Sequence, residues 1–474
     1  MTEPNPAPNP ASIPATVTIA AVPDEIAALS RQLDHTPLDA DLHEQMLAML
    51  RAHGDTAGAA AHELALAALR MLGAAPDEQR ALALYNLATV YLMHGRHADA
   101  RHWYRHTLAI APGIAAAHQN LAVLLDGDGQ PEAAAAHRSQ AYRLQRVFIE
   151  PALGPAPLRL LILGCGRGNG NVPIGGLLPL ARVCRIRYAI DYADIAEDGQ
   201  LPPYDLVFNG LGDADVTEPL GERLARFMAA CPRPVLNVPD AVAKTRRDRI
   251  GTLLAGIADL VVPACVRLTA RPESVPALTR ELAEAGIGFP VLLRPVASHG
   301  GDQVTLQATP EALWAALGEL SGPCYATAFH DSRGADGHYR KYRMIYVDGV
   351  PHAYHLAISR HWLVHYFSAE MIEHAWKLDA ERRFLANPAE ALGARAMAAL
   401  DAVGARLGLD YAGIDFSLLP DGRVLVFEAN ATMLAHREPP AGPLAFKNPG
   451  VERIAQAVGR LLEARKPDDA GIPA

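Results

Sequence analysis

The stretch that decides the fold of the C-terminal part of this chain is Tyr411-Ala-Gly-Ile-Asp-Phe-Ser-Leu-Leu-Pro-Asp-Gly-Arg-Val-Leu-Val-Phe-Glu-Ala-Asn430. Both of its flanks are rich in β-branched and aromatic residues, and Asp421-Gly422 supplies the positive φ angles of a tight turn. The stretch therefore predicts a β-hairpin. Counting back from a two-residue turn at Asp421-Gly422 places Asp415 directly opposite Glu428.

Two carboxylates that face each other across a hairpin repel. At about 5 Å and an effective dielectric of roughly 20, the repulsion costs about 3 kcal/mol. A divalent cation with oxygen ligands removes this cost, so we predict Mg²⁺ bound by Asp415, Glu428 and Asn430, which shares their face. Without the ion, Asp415→Asn and Glu428→Gln are expected to keep or raise thermal stability. The alternative is a solvated hairpin whose polar face carries acids by coincidence.

Bulk composition indicates a multidomain globular protein without a basic partner surface. The chain has 474 residues, of which 50% are hydrophobic, and a formal net charge of −9, which argues against nucleic acid or acidic membranes as partners. Its five cysteines form no CxxC pair, so neither a disulfide framework nor a zinc knuckle is indicated, and a cytoplasmic location fits best. The Pro/Ala-rich start, 1–22, is predicted to be a disordered tail rather than a signal peptide.

An internal repeat occupies the N-terminal third. Asn86-Leu-Ala recurs as Asn120-Leu-Ala, and Gly95 recurs as Gly129, each 34 residues later. This period resembles the tetratricopeptide repeat, a pair of helices that stacks on its neighbours. Helices are predicted over about 24–148, as a site for a peptide or protein partner or, alternatively, as a packing or homodimerisation module. His102 and His106 lie four apart on one helix and are interpreted as exposed rather than as metal ligands.

After a proline-rich linker the pattern changes to strands that alternate with helices, beginning at Leu158–Leu163, which predicts an open α/β sheet. The glycine-rich turn Gly164–Gly170 is similar to the first turn of S-adenosylmethionine-dependent methyltransferases, with Asp191 as the ribose-binding acid. That interpretation is kept as a second candidate function, because Asn169 breaks the GxGxxG spacing. A non-catalytic nucleotide-binding scaffold and a phosphotransferase also stay open as functions.

Charge and glycine mark the region before the hairpin. Ser298, His299, Gly300 and Gly301 form a small-residue flap that would expose backbone N–H groups to a phosphate. In Tyr339–Gly349, strand alternation puts Lys341 and Arg343 on one face and Arg340 on the other, which predicts a cationic stripe for phosphoryl oxygens. The alternative for the stripe is an exposed edge strand protected by charge. The remaining segments of interest are Asn237-Val-Pro-Asp, Arg247-Asp-Arg249, Phe289-Pro-Val-Leu-Leu-Arg294, Cys324-Tyr-Ala-Thr-Ala-Phe329 and His355–Tyr366.

From about Leu158 to Leu462, the order of these motifs resembles the ATP-grasp superfamily, which includes D-alanine ligase, glutathione synthetase and the ligase that adds glutamate to a ribosomal protein. The resemblance implies a small α/β domain followed by two α+β lobes that hold ATP. It implies metal ligands at Asp415, Glu428 and Asn430. It also implies phosphate contacts at Arg249 and Arg294, where the family has lysines.

Further site residues follow from the same resemblance. The backbone around Ala326, Thr327 and Phe329 would pair with adenine, Arg360 would bind a substrate carboxylate, and His365 would accept a proton. The usual Ser-Pro-Gly after the asparagine is replaced here by Ala431–Arg437, so substrate identity does not transfer. The resemblance predicts cofactor binding at Arg249, Arg294, Ser298, His299, Gly300, Gly301, Ala326, Thr327 and Phe329, and catalysis by Lys341, Arg343, Arg360 and His365.

Taken together, the predicted fold is multidomain α plus α/β: tetratricopeptide-like repeats, a small α/β domain and an ATP-grasp fold. The predicted function is an ATP- and Mg²⁺-dependent carboxylate–amine ligase, with one or two ions and Mn²⁺ as a substitute, acting on a small-molecule or peptide carboxylate and a nucleophilic acceptor. The predicted boundaries are a tail at 1–23, repeats at 24–150, a linker at 151–157, the α/β domain at 158–238, lobes at 239–328 and 329–463, and a flexible tail at 464–474.

Overall fold

The computed structural model describes residues 24–155, 158–166, 170–179, 181–298, 303–366 and 368–467. The chain divides into two compact units, Met1–Arg146 and Val147–Ala474. The predicted tail at 1–23 lies outside the described residues, as does most of the one predicted at 464–474. No helix in these described ranges combines the length and the apolar character needed to cross a membrane.

The first unit is helical throughout its described part. In chain order, its helices are α1 (Asp24–His35), α2 (Ala40–Ala52), α3 (Thr56–Leu72), α4 (Asp77–Met93), α5 (His97–Ile110), α6 (Ala115–Gly127) and α7 (Pro131–Leu144).

The helices pack as consecutive pairs that follow the sequence repeat. Helix α2 packs on α3, α4 on α5 and α6 on α7. The first helix of each pair is followed by a glycine with positive φ, at Gly54, Gly95 and Gly129, where a side chain would be strained. The repeat thus extends to a third pair at α2–α3. Its membership of the tetratricopeptide class remains a prediction.

The second unit begins with a five-stranded sheet. Its strands are β1 (Val147–Glu150), β2 (Leu158–Gly164), β3 (Val183–Ala189), β4 (Leu206–Asn209) and β5 (Val235–Leu236), in the order β1-β3-β2-β4-β5, and helices α8 (Ala214–Thr217) and α9 (Gly221–Ala230) follow β4. All neighbours are parallel except β1, which pairs antiparallel with β3. The prediction of helix to about 148 and a domain boundary at 150 was wrong here, because Val147 already belongs to this sheet.

A four-stranded antiparallel sheet comes next. The elements of this part of the chain are α10 (Pro239–Ala243), α11 (Ile250–Leu253), β6 (Leu260–Val261), which joins a different sheet, β7 (Cys265–Leu268), α12 (Val275–Glu284), β8 (Val291–Pro295), β9 (Thr305–Gln307), α13 (Pro310–Glu319) and β10 (Cys324–Ala328). The strands of the four-stranded sheet lie in the order β7-β10-β8-β9. Helices α12 and α13 each start with a hydroxyl cap and have a proline in the first turn, and their leucines are buried in the core with β8.

The third sheet carries the hairpin. Its elements are β11 (Tyr339–Val347), β12 (Val350–Ser359), α14 (Ala375–Ala386), α15 (Pro388–Leu392), α16 (Ala394–Leu407), β13 (Tyr411–Leu418), β14 (Val424–Asn430) and α17 (Asn448–Arg465), with order β12-β11-β13-β14-β6. Strand β6, assigned by sequence to the first lobe, completes this sheet in parallel with β14. Strand β11 is interior, so the edge-strand alternative for the cationic stripe was wrong. Helix α17 continues to Arg465, past the predicted start of the tail.

Candidate active site

The hairpin turn is longer than predicted. Leu419 N–H donates to the Arg423 carbonyl (2.9 Å), and Gly422 N–H donates to the Leu419 carbonyl (2.8 Å). The loop is therefore the three residues 420–422, with Gly422 at φ 83°. The prediction of a two-residue turn at Asp421-Gly422 was wrong. Pro420 favours the second position of a type I turn, and a hairpin built on a type I turn has a three-residue loop that ends in a residue with positive φ, here Gly422.

A bulge in β14 cancels this one-residue error. Phe416 pairs with Val426, whereas Asp415 pairs with Glu428, so Phe427 is the extra residue on its strand. Phe427 is 39% exposed, whereas Val426 beside it is buried. The predicted opposition of Asp415 and Glu428 is confirmed, for a different reason from the one the sequence offered.

Asp415 is buried, at 1% exposure, and is held by two cations from β11. Arg343 binds it through two parallel hydrogen bonds, Nε to Oδ1 at 2.6 Å and Nη2 to Oδ2 at 2.9 Å. Lys341 Nζ lies 3.2 Å from Oδ2. Burial by itself would raise the pKa of Asp415, but Arg343 and Lys341 hold that pKa well below its usual range. The carboxylate is therefore ionised throughout the physiological range.

Glu428 is held by two other arginines. Arg247 forms an ion pair with Glu428 Oε2, and Arg294 Nη1 lies 3.8 Å from the same oxygen. Arg294 is itself positioned by Ser298, donating to its Oγ (2.9 Å) and its carbonyl (2.7 Å). Burial and the nearby Asp415 oppose ionisation of Glu428, but Arg247, Arg294 and Lys341 together outweigh them and lower the pKa of Glu428 to about 2.

These contacts define what we call the hairpin ion cluster. Its four cations and two carboxylates carry a net charge of +2, which would attract a polyanion such as a nucleoside triphosphate. A bare divalent cation would meet this excess positive charge, whereas a metal that arrives with its nucleotide would not. The members are Lys341, Arg343, Arg247, Arg294, Asp415 and Glu428.

The predicted metal ligands have suitable chemistry but are engaged within the protein. Two carboxylates and an amide oxygen are a donor set that Mg²⁺ accepts. Asn430 lies opposite Gly413, and its Oδ1 accepts hydrogen bonds from Thr432 N–H (3.0 Å) and Thr432 Oγ1 (2.9 Å). The residues therefore fit a nucleotide-bound ion that replaces some of these contacts, rather than a permanently resident one.

Two other predicted contacts, Arg249 and Arg360, do not join the cluster as expected. Arg249 is exposed and lines a separate cavity of about 500 Å³. Its neighbour Arg247, which was not predicted as a site residue, pairs with Glu428 instead. Arg360 is exposed directly after β12. His299, Gly300 and Gly301 lie outside the described residues.

His365 lies within electrostatic range of the cluster. Its ring is half-buried, and burial followed by Lys341 and Arg343 lowers its pKa below the ordinary value. His365 is therefore expected to be neutral near pH 7, as a proton acceptor requires. The structure is thus compatible with the role of His365 as a base, which stays a prediction.

The backbone predicted to pair with adenine is used elsewhere. Strand β10 is interior, between β7 and β8, and Ala326 and Thr327 pair with residues on both sides. Pairing on both sides engages the N–H groups of this strand, which disfavours adenine pairing at Ala326 and Thr327; that pairing stays a prediction. Phe329 follows the strand, with its N–H bonded to Pro290 and its ring edge-on to Trp362 at 5.9 Å.

A second buried polar group lies beside the hairpin ion cluster and was missed by the sequence analysis. Lys447 Nζ is 3.7 Å from Glu381 Oε1 and 3.6 Å from Glu438 Oε1, and it lies 4.4 Å from the centre of the Tyr366 ring. Burial raises the pKa of Glu381, which nevertheless accepts a hydrogen bond from Tyr366 (2.8 Å). These residues come from separate elements with no shared motif, so only their packing reveals them.

His355 connects the two groups. It pairs with Arg343 across the sheet, and its ring lies 5.4 Å from that of Tyr366. Burial, and then Arg343, keeps the pKa of His355 well below 6.5. Its Nε2 is buried and has no hydrogen-bond partner within the described ranges. The nearby cations Arg343 and Lys447 favour the neutral imidazole, whose Nε2 is enclosed by the protein.

The glycine-rich turn after β2 is filled by side chains of the protein itself. Asp191 accepts hydrogen bonds from Gly166 N–H (2.7 Å) and Cys165 Sγ (3.2 Å). The Asn171 amide bonds both the N–H and the carbonyl of Cys165 (2.8 Å each). The carboxylate assigned to a ribose is therefore occupied by the turn. Residues 167–169 lie outside the described residues.

The chain is similar to solved structures of ATP-grasp ligases. They include the RimK domain protein ATP-grasp from Sphaerobacter thermophilus (18% identity, covering 64% of this chain and 99% of that one, TM-score 0.39). They also include the VanG D-Ala:D-Ser ligase from Enterococcus faecalis (14%, 65% and 99%, TM-score 0.40) and the D-alanine-D-alanine ligase from Coxiella burnetii (13%, 65% and 95%, TM-score 0.39). Likeness at this level decides neither fold nor activity. No family model and no curated protein matches the chain.

Proposed function

We propose that this chain is an ATP- and Mg²⁺-dependent carboxylate–amine ligase of the ATP-grasp type, acting through an acyl phosphate. The single observation that carries the proposal is the hairpin ion cluster, in which Lys341, Arg343, Arg247 and Arg294 converge on two carboxylates. Phosphoryl transfer requires positive charge fixed around the transferring oxygens, and this cluster supplies it on rigid strands.

The excess charge of the cluster is matched by its proposed ligand. A triphosphate with one Mg²⁺ carries roughly two negative charges, which would balance the net +2 of the cluster. Asp415, Glu428 and Asn430 would hold the ion, which would offset charge on the β- and γ-phosphates. Arg247 and Arg294 would then exchange Glu428 for phosphate oxygens as the nucleotide enters.

The chemistry has two displacement steps. An oxygen of the substrate carboxylate attacks the γ-phosphorus, the bond to the bridging oxygen breaks, and ADP leaves. The nitrogen of the amine then attacks the acyl carbon, the bond to the phosphate oxygen breaks, and the nitrogen loses a proton. Lys341 and Arg343 would stabilise the phosphoryl oxygens in both steps, and neutral His365 would accept the proton.

The substrate side of the site is assigned more loosely. Arg360, exposed at the end of β12, would bind the substrate carboxylate through its planar fork. The helical unit would recruit a peptide or protein partner, as stacked helix pairs in repeat proteins offer extended surfaces for such partners.

Hydroxylamine trapping tests the reaction class before the substrate is known. The full chain is incubated with MgATP, hydroxylamine and single candidate carboxylates, and hydroxamate and ADP are measured together. We expect equal amounts of both with the right acid, and none from Glu428→Gln. Asp421→Asn, in the exposed turn of the same hairpin, is the matched control and should keep full activity.

Different outcomes of this experiment point to different functions. Formation of ADP without hydroxamate indicates a phosphotransferase. Binding of ATP with no turnover across all carboxylates indicates a non-catalytic scaffold. Binding of S-adenosylmethionine in place of ATP indicates a methyltransferase, which the engagement of Asp191 by Gly166 and Cys165 disfavours.

A further inference from the structure

Three side chains with metal-binding atoms converge in the helical unit. Asp34 lies in the last turn of α1, and His102 and His106 lie one turn apart on α5. The distance from Asp34 Oδ1 is 2.9 Å to His102 Nε2 and 3.4 Å to His106 Nε2. All three ligand atoms lie within 4.8 Å of one another. The sequence interpretation that set the two histidines aside lacked the third residue, which another helix supplies.

The spacing of these atoms matches a small metal ion. Residues four apart on a helix share one face, so both imidazoles of α5 point toward the same place. Ligands about 2.1 Å from a tetrahedral Zn²⁺ lie roughly 3.4 Å from each other. The two distances from Asp34 Oδ1, 2.9 and 3.4 Å, are close to that value. Binding an ion would require only small side-chain adjustments.

We propose that Asp34, His102 and His106 bind one Zn²⁺ or a similar divalent transition metal, which fastens α1 to α5. Two imidazoles with one carboxylate select this class of ion over Mg²⁺ and Ca²⁺, which prefer oxygen ligands. Three protein ligands leave a fourth position for water. Side-chain exposures of 40%, 46% and 22% for Asp34, His102 and His106 leave room for that water.

The same proximity also arises without metal, if both histidines donate a hydrogen bond to Asp34. A metal titration separates the two cases, and Trp103 provides a local signal. The Trp103 ring lies 5.3 Å from that of His102 and 5.5 Å from that of His106. A paramagnetic ion such as Co²⁺ bound by these histidines would therefore quench the fluorescence of Trp103.

The experiment uses the full chain freed of metal by a chelator. Zn²⁺ is titrated in competition with a chromophoric chelator, and we expect one tightly bound ion per chain. The double variant His102→Asn/His106→Asn should weaken this binding by more than about 100-fold, since loss of mere supporting residues costs roughly 10- to 100-fold. The double variant should also abolish the quenching of Trp103 fluorescence by Co²⁺. The variant Trp103→Phe should lose the same quenching but keep the Zn²⁺ affinity of the wild type.

A matched control removes two histidines elsewhere in the same unit. His53 and His94 are both exposed and each bonds a carbonyl one turn earlier, so His53→Asn/His94→Asn should bind Zn²⁺ like the wild type. Asp34→Asn provides a second test if the His102/His106 variant unfolds. Zn²⁺ binding that is equally strong in the Asp34 or the His102/His106 variant, or absent from the wild type, overturns the proposal. The test measures Zn²⁺ binding and Trp103 fluorescence, so its outcome is independent of whether the chain is a ligase.

Discussion

Asp415→Asn decides whether the hairpin carboxylates are strained by mutual repulsion or held by cations. Repulsion between Asp415 and Glu428 alone predicts that the neutral variant is as stable as the wild type, or more so, without Mg²⁺. The structure predicts the opposite, because Arg343 and Lys341 both pair with the buried carboxylate of Asp415. Removal of its charge would leave two cations unpaired in a site that is largely shielded from water.

The size of the effect follows from the burial of the partners. Removing one member of a buried ion pair costs about 3 to 5 kcal/mol. Arg343 and Lys341 keep 16% and 20% of their side-chain exposure, so some solvation of the cations remains and the lower end applies, about 3 kcal/mol. For a unit of this size that corresponds to a drop in the melting temperature of roughly 4 °C.

Metal-free thermal and urea unfolding of the full chain measures this difference. Asp421→Asn is the control, since Asp421 is 52% exposed in its pair with Arg423 and its loss should leave stability close to that of the wild type. Adding Arg343→Met to Asp415→Asn removes one unpaired cation and should recover part of the loss. A single variant Asp415→Asn that unfolds at or above the wild-type temperature refutes the reasoning.

The remaining predictions concern the ligand, the fold and the response to acid. Arg247→Ala should weaken MgATP binding by about 10-fold or more in equilibrium titrations, because Arg247 belongs to the hairpin ion cluster. Arg249→Ala is the control and should change the affinity by less than about 2-fold. Equal effects of the two variants would contradict the placement of Arg247 in the cluster. Asn237→Ala should lower the free energy of unfolding, measured in urea, by about 2 to 4 kcal/mol. The side chain of Asn237 forms hydrogen bonds with both the N–H (2.9 Å) and the carbonyl (2.8 Å) of Tyr411, and an unchanged midpoint would argue against these bonds. The pKa of Glu428 is lowered to about 2 from 4.5, so its ion pairs stabilise the fold fully above about pH 4.5 and are lost as pH falls to about 2. Glu428→Gln should therefore lose less stability than the wild type over that interval, and parallel curves would count against the shift.

The hairpin shows how a correct prediction can rest on an incomplete reason. Strand alternation and turn composition predicted that Asp415 faces Glu428, and the observed register confirms it. The predicted turn was one residue too short, and the bulge at Phe427 adds one residue to β14, so the two effects cancel. A bulge leaves no reliable mark in a single sequence, because it depends on how the strand fits the sheet as a whole.

Some residues of the hairpin ion cluster were predicted from the sequence and others were not. Lys341 and Arg343 were predicted to share one face because a strand has a period of two residues, and both reach Asp415. Arg247 was passed over in favour of Arg249, since the run Arg246–Arg249 has no helical or strand period that would show which side chain points inward. Short irregular segments take their side-chain directions from tertiary contacts, here from Glu428.

By itself, the sequence determined the features that depend on local periodicity: the paired helices of the first unit, the strands, the cationic face of β11 and the opposed carboxylates of the hairpin. Only the tertiary structure decided which charges meet. It brought Arg247 and Arg294 to Glu428, and Asp34 of α1 to His102 and His106 of α5. The physical reason is that backbone geometry repeats over a few residues and can be read along the chain. An ion pair between distant segments depends on how whole elements pack, which no local pattern records.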